Sequence, residues 1–324
     1  MSFKDVVGQE SAIAFLKAAF SCGRIAHAYI FVGPQGVGKS KAALNFAKLL
    51  FCESPSANEP CENCASCLKS NGSNHPDIQE VSPEGQFIKI DAIREACRKL
   101  SLRGFESSFK VLIITQAGAL NEESSNALLK TLEEPTANTV IILMADTLKS
   151  VLPTIASRCQ RVVFSILKQD VIESILIKQW GASRDAAAYL SMMSEGSLGA
   201  ALRFHEDGLF SRKNDLIKNA LDERCGLDGL LDLSSKERQD RQENIQEALF
   251  VLSSWFRDLL LAKTESRSFI NIDKKDDIMR LARSFSFIEI EERLTRIADA
   301  AQDLKRNANA RIALTRLRVD LWKQ

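Results

Sequence analysis

Five short strand-like runs punctuate the first half of the chain, Ala28–Val32, Asp77–Val81, Lys110–Ile114, Thr139–Leu143 and Arg161–Phe164, most of them near-continuous in apolar residues. Between most of them the apolar residues fall at three- and four-residue intervals, over 41–50, 91–100 and 122–133, and Pro135 stops the last of these segments. Strands that are apolar at successive positions leave no face for water, so they belong to a parallel sheet covered by helices on both sides. The alternation predicts an α/β domain over residues 1–165, with any ligand at the carboxyl ends of its strands. Residues 166–208 read as a small helical lid, in which Ala186–Leu190 suits a packed helix. Residues 209–324 read as an all-α domain, with Ile245, Leu249, Leu252, Phe256, Leu259 and Leu260 at helical spacing. The polar stretch 233–241 is expected to be an exposed loop or helix edge.

The run Ala28–Val32 leads straight into Gly33-Pro34-Gln35-Gly36-Val37-Gly38-Lys39-Ser40, which is a Walker A phosphate loop between a strand and a helix. Glycines at 33, 36 and 38 let successive amides turn inward around phosphate oxygens. Lys39 reaches the terminal phosphates, and the Ser40 hydroxyl can ligate magnesium. The helix that follows presents its N-terminus to the same anion.

Eight cysteines are present, and four of them, Cys52, Cys61, Cys64 and Cys67, fall within sixteen residues. Thiols at this spacing suit tetrahedral zinc in a structural site, with Zn–S bonds of about 2.3 Å. Pro55, Pro60, Ser54, Ser56 and Asn58 make the segment a loop with little core of its own. The 324 residues are 45% hydrophobic and 26% charged, which excludes a disordered, collagenous or rod-like chain. Lys and Arg number 43 against 42 for Asp and Glu, so the net charge is +1 and any DNA contact must come from a local patch or from partners. No apolar run approaches the roughly 20 residues needed to span a bilayer, and charges stand early where a signal peptide would be apolar. A cytoplasmic location without membrane contact is expected, and a reducing compartment favours zinc over disulfides.

Taken in order, Phe3-Lys4-Asp5-Val6-Val7-Gly8-Gln9-Glu10, His27-Ala28-Tyr29, the phosphate loop, the four-cysteine insertion (52–67), His75-Pro76-Asp77, Leu128–Pro135 and Ser157-Arg158-Cys159 resemble the bacterial clamp-loader AAA+ subunits of DNA polymerase III. The resemblance implies an AAA+ P-loop domain, a helical lid and an all-α collar used for oligomerisation. It also implies zinc in the gamma/tau and delta prime branches of the family, and an arginine finger at Arg158 reaching ATP bound by a neighbouring subunit. The implied partners are gamma/tau and delta subunits and, through the complex, the sliding clamp and primed-template DNA.

Three departures choose between the family's motor and its companion. Thr115 and Gln116 stand after the third run where the motor puts Asp-Glu, Met144-Ala145-Asp146 where it puts a sensor threonine, and Gly199 where it carries a sensor arginine. Without those carboxylates the site is expected to bind ATP or ADP, to hold Mg²⁺ weakly, and to turn over hardly at all. Asp146 has two readings: a cap for the turn before Leu152-Pro153, which is favoured, or a carboxylate aimed into the pocket. The pattern fits a structural, regulatory companion of the delta prime type. Its rivals are a gamma-like motor ATPase and a zinc-containing DNA-binding regulator on an AAA+ scaffold.

Overall fold

The computed structural model describes residues 2–102, 104, 106–221, 238–264, 268–306 and 308–322. Of the polar stretch 233–241, residues 233–237 lie outside the described residues, and Arg238 opens a helix. Two compact units make up the chain: Met1–Leu167 with Gly196–Ala200, and Lys168–Glu195 with Ala201–Gln324.

The first unit is built on a five-stranded sheet in the order β2-β3-β4-β1-β5, with every neighbouring pair parallel. Its strands are β1 (Ala28–Val32), β2 (Ile78–Val81), β3 (Lys110–Ile114), β4 (Thr139–Ala145) and β5 (Gln160–Val163). Alternate residues of the central strands feed two separate cores. Tyr29, Phe31, Val111, Ile113, Val140, Ile142 and Met144 pack on one face with α1 (Glu10–Ser21) and α2 (Lys39–Phe51). Ala28, Ile30, Val32, Leu112, Ile114, Ile141, Leu143 and Ala145 pack on the other with α4 (Ile90–Ser101), α5 (Glu122–Glu133) and α6 (Pro153–Ala156). This two-sided burial is the reason the central strands β1, β3 and β4 are so apolar, whereas the edge strands β2 and β5 carry Gln79, Glu80, Gln160 and Arg161. The short helix α3 (Ala65–Asn71) belongs to the cysteine insertion.

The second unit is helical among its described residues. It contains α7 (Gln169–Trp180), α8 (Arg184–Met193), the larger part of α9 (Leu198–Glu206), α10 (Leu209–Leu221), α11 (Arg238–Lys263), α12 (Lys275–Leu281), α13 (Phe287–Lys305) and α14 (Ala310–Trp322). Its least expected feature is Lys213, fully buried between the rings of Tyr189 and Phe210, which lie 4.2 and 4.6 Å from its ammonium, and paired with Asp273. Buried Asp258 is satisfied by the amides of Ile270 and Asn271 at 3.0 and 2.7 Å. No helix among the described residues is long and apolar enough to cross a membrane.

Candidate nucleotide and metal sites

The phosphate loop leaves β1 at Val32, where the Gly33 amide still bonds the Ala145 carbonyl of β4 at 3.1 Å. Gly36 and Gly38 sit at φ +73° and +103°, conformations that a side chain disfavours. Lys39 is buried and its ammonium is shared three ways: with the carbonyl of Gly33, with that of Pro34 at 2.9 Å and with Asp146 Oδ1 at 3.2 Å. Burial lowers its pKa, and Asp146 opposes that shift. Asp146 therefore turns its carboxylate to the pocket lysine, the second of its two sequence readings and not the favoured turn cap. The Ser40 hydroxyl lies 3.6 Å from Met144 Sδ.

After β3, the Thr115 hydroxyl donates to Ser82 Oγ at 3.0 Å and Gln116 is exposed, so no carboxylate occupies either position. Ser197 donates through Oγ to the Gln35 carbonyl at 2.8 Å, and the Gly199 amide donates to the Gly36 carbonyl at 2.9 Å. A Cβ on Gly199 would stand 2.7 Å from Gly36 Cα. The position expected to carry no sensor arginine is thus one where the backbone of the first unit closes on its own loop. Nothing in residue spacing signals these long-range contacts.

The four clustered cysteines converge. Cys52 caps the C-terminus of α2, Cys64 is the N-cap of α3, Cys67 lies buried within α3, and the four Sγ atoms lie within 4.8 Å of one another. A tetrahedron of ~2.3 Å metal–sulfur bonds has sulfur–sulfur edges of about 3.8 Å, so small adjustments would seat an ion. The amide of Cys61 donates to Cys52 Sγ at 3.2 Å and that of Cys64 to Cys61 Sγ at 3.3 Å. Such donors favour thiolate, and with the amide of Asn63 foremost they bring the Cys61 thiol down to about 6. Burial pushes Cys52 and Cys67 up, so four thiolates this close need a cation's charge. The donor set fits a metal ion.

Sequence reasoning missed what anchors this insertion. Lys48, fully buried on α2, pairs with Glu62 and donates to Asn71 Oδ1 at 2.8 Å. Glu59 pairs with Lys17 of α1 and accepts from Ser2 Oγ at 3.2 Å. The hint was Lys48 standing among the apolar residues of Phe46–Phe51.

Arg158 follows α6 and precedes β5. Its guanidinium donates to Glu133 Oε1 at 2.6 Å and to the Thr154 carbonyl at 2.9 Å. Two of the segments singled out in the sequence, Leu128–Pro135 and Ser157–Cys159, therefore meet in one ion pair. The neighbouring Cys159 packs half-buried against the second core, and burial pushes its thiol up to about 12.

A parallel five-stranded sheet with a phosphate loop after β1, Thr115 and Gln116 after β3, and a helical second unit define an AAA+ module. A family model described as DNA polymerase III, delta subunit, matches residues 8–168. The delta prime subunit of Bacillus subtilis DNA polymerase III is 42% identical over 195 residues, covering 60% of this chain and 59% of that protein. The tau subunit of the same organism is 29% identical over 289 residues, covering 81% of this chain and 50% of that protein. The gamma subunit of Buchnera aphidicola is 33% identical over 224 residues, 67% of this chain and 61% of that protein. The chain thus spans between half and about three fifths of the length of these relatives. A solved gamma subunit-related protein of Thermotoga maritima shares the fold with a TM-score of 0.53 at 18% identity, over 96% of this chain and 98% of that one. The chain is thus similar to the delta prime and gamma/tau subunits of DNA polymerase III, most extensively over the first unit.

Proposed function

We propose that this chain is a delta prime-type subunit: a structural and regulatory AAA+ member of the clamp loader that binds nucleotide without turning it over at a useful rate. The observation that carries this is an intact phosphate loop next to Thr115 and Gln116. Glycines, Lys39 and Ser40 suffice to hold phosphates, whereas hydrolysis also needs a carboxylate for the magnesium shell and a base to orient water. On this reading the protein works in the cytoplasm, and zinc held by Cys52, Cys61, Cys64 and Cys67 stiffens the end of the P-loop helix. Arg158 completes a neighbouring gamma/tau subunit's ATP site, and with a delta subunit the assembly loads the sliding clamp on primed DNA during replication.

Steady-state phosphate release tests the reading. The isolated chain should stay near background, and mixing with motor and delta subunits should yield a stable complex with ATPase activity. A turnover on the order of 1 s⁻¹ by the isolated chain, ordinary for a working enzyme, would instead make it a motor.

A further inference from the structure

Four consecutive carbonyls of the phosphate loop are already engaged by internal donors: Gly33 and Pro34 by Lys39, Gln35 by Ser197 and Gly36 by the Gly199 amide. An ammonium has three protons to donate, and Lys39 directs all three, two to those carbonyls and the third to Asp146. A phosphate oxygen can reach Lys39 only by taking one of these places. The carbonyls of Gly33 and Pro34 are fixed by the loop backbone. Asp146 is the partner free to leave, because it stands beyond the end of β4 with 57% of its side chain exposed.

We infer that Asp146 is an internal anion occupying the phosphate's place at Lys39, so that it competes with nucleotide and sets the affinity of the loop for di- and triphosphates. Two effects act in the same direction. Nucleotide must give up the Lys39–Asp146 pair, and a carboxylate displaced but still tethered beside β4 repels the incoming phosphate charge. A carboxylate that instead served as a substitute ligand for the nucleotide's magnesium would have the opposite effect, because its removal would weaken binding. The inference rests on the nucleotide-binding reading above and adds the residue that limits it.

The test is calorimetric titration of the full-length chain with ADP in the presence of magnesium, on wild type, Asp146→Asn, Asp146→Ala and Lys39→Ala. Removing an ion pair with one exposed member and the attendant repulsion should tighten ADP binding by about fivefold or more in both Asp146 variants. Lys39→Ala should abolish binding. Wild type that binds no ADP while Asp146→Asn binds it would support the inference in its strongest form. Wild type that binds while both Asp146 variants bind equally or more weakly would overturn it and leave the nucleotide reading standing, weaker binding pointing to the magnesium-ligand role. Failure of every form to bind ADP would overturn the nucleotide reading and this inference with it.

Discussion

His75 shows how one buried ring converts pH into stability. It lies parallel to Phe51 with centroids 4.5 Å apart, and its Nδ1 accepts from the Asp77 amide at 3.2 Å. Burial lowers its pKa, with Asp77 and Glu106 opposing. Protonation would place a second hydrogen against the Asp77 N–H and bury a charge. As pH falls through the unfolded value of about 6.5, the unfolded chain takes up the proton first. Stability present above that pH is therefore lost on the way down to the folded-state value. Urea midpoints at pH 7.5 and 5.8 should drop in wild type and drop less in His75→Gln, with metal content assayed at both pH values so that release from the cysteines is not mistaken for this effect. Equal drops would assign the slope to other groups. The sequence marked His75-Pro76-Asp77 as a motif, but a stack on Phe51 and an unprotonated Nδ1 are properties of the packed structure. Asp146 makes the same point more sharply: its partner lies 107 residues away, and local turn chemistry favoured the wrong one of its two readings.

Among the elements, legibility follows the source of each signal. β1, β3 and α5 have the boundaries their apolar runs and the stop at Pro135 suggest, because these signals are written locally, and the structure adds Asn121 as the N-cap of α5. β4 runs two residues further than its most apolar core, through Met144 and Ala145, since pairing with β1 up to Val32 extends it. β5 begins one residue earlier and stops one sooner than expected, as an edge strand with one neighbour has less to fix its ends. For the cysteine insertion the thiol spacing was visible. The tie through Lys48 to α2 was not, because a lysine on a helix is ordinarily a solvated residue. That tie makes the insertion an extension of the P-loop helix, which starts at Lys39 and is capped by Cys52. The purified protein should contain about one equivalent of zinc, since metal binding free energy becomes folding free energy for a loop with so little core. Cys64→Ser should lower that stoichiometry and raise protease cleavage within 53–63, while far-ultraviolet circular dichroism stays close to wild type. Protein purified without chelator that carries no metal would refute the assignment.

At the scale of the whole molecule, a net charge of +1 means that no broad field draws this chain to nucleic acid, which accords with the proposal that it acts through other subunits. Arg158 is the residue proposed to do so, and its position defines what the test must separate. In this chain it is half-exposed and paired with Glu133, itself 51% exposed, an arrangement ordinarily worth under ~1 kcal/mol. Losing that pair should barely change stability, and a finger must release it in order to reach a neighbour's phosphates. A trans arginine that neutralises charge on the transferred phosphoryl group is worth about 10³ to 10⁵ in rate at the site it serves. Arg158→Ala should therefore fold and assemble normally, yet silence one ATP site among several, so the DNA- and clamp-stimulated ATPase of the complex falls in part and clamp loading slows. Glu133→Gln supplies the contrast: it removes the same ion pair while keeping the guanidinium, so the complex should retain full ATPase. If both substitutions lower activity equally, the ion pair matters as a structural brace. If neither does, Arg158 touches no neighbour's ATP. Only loss with Arg158→Ala and retention with Glu133→Gln assigns the guanidinium to chemistry outside its own chain.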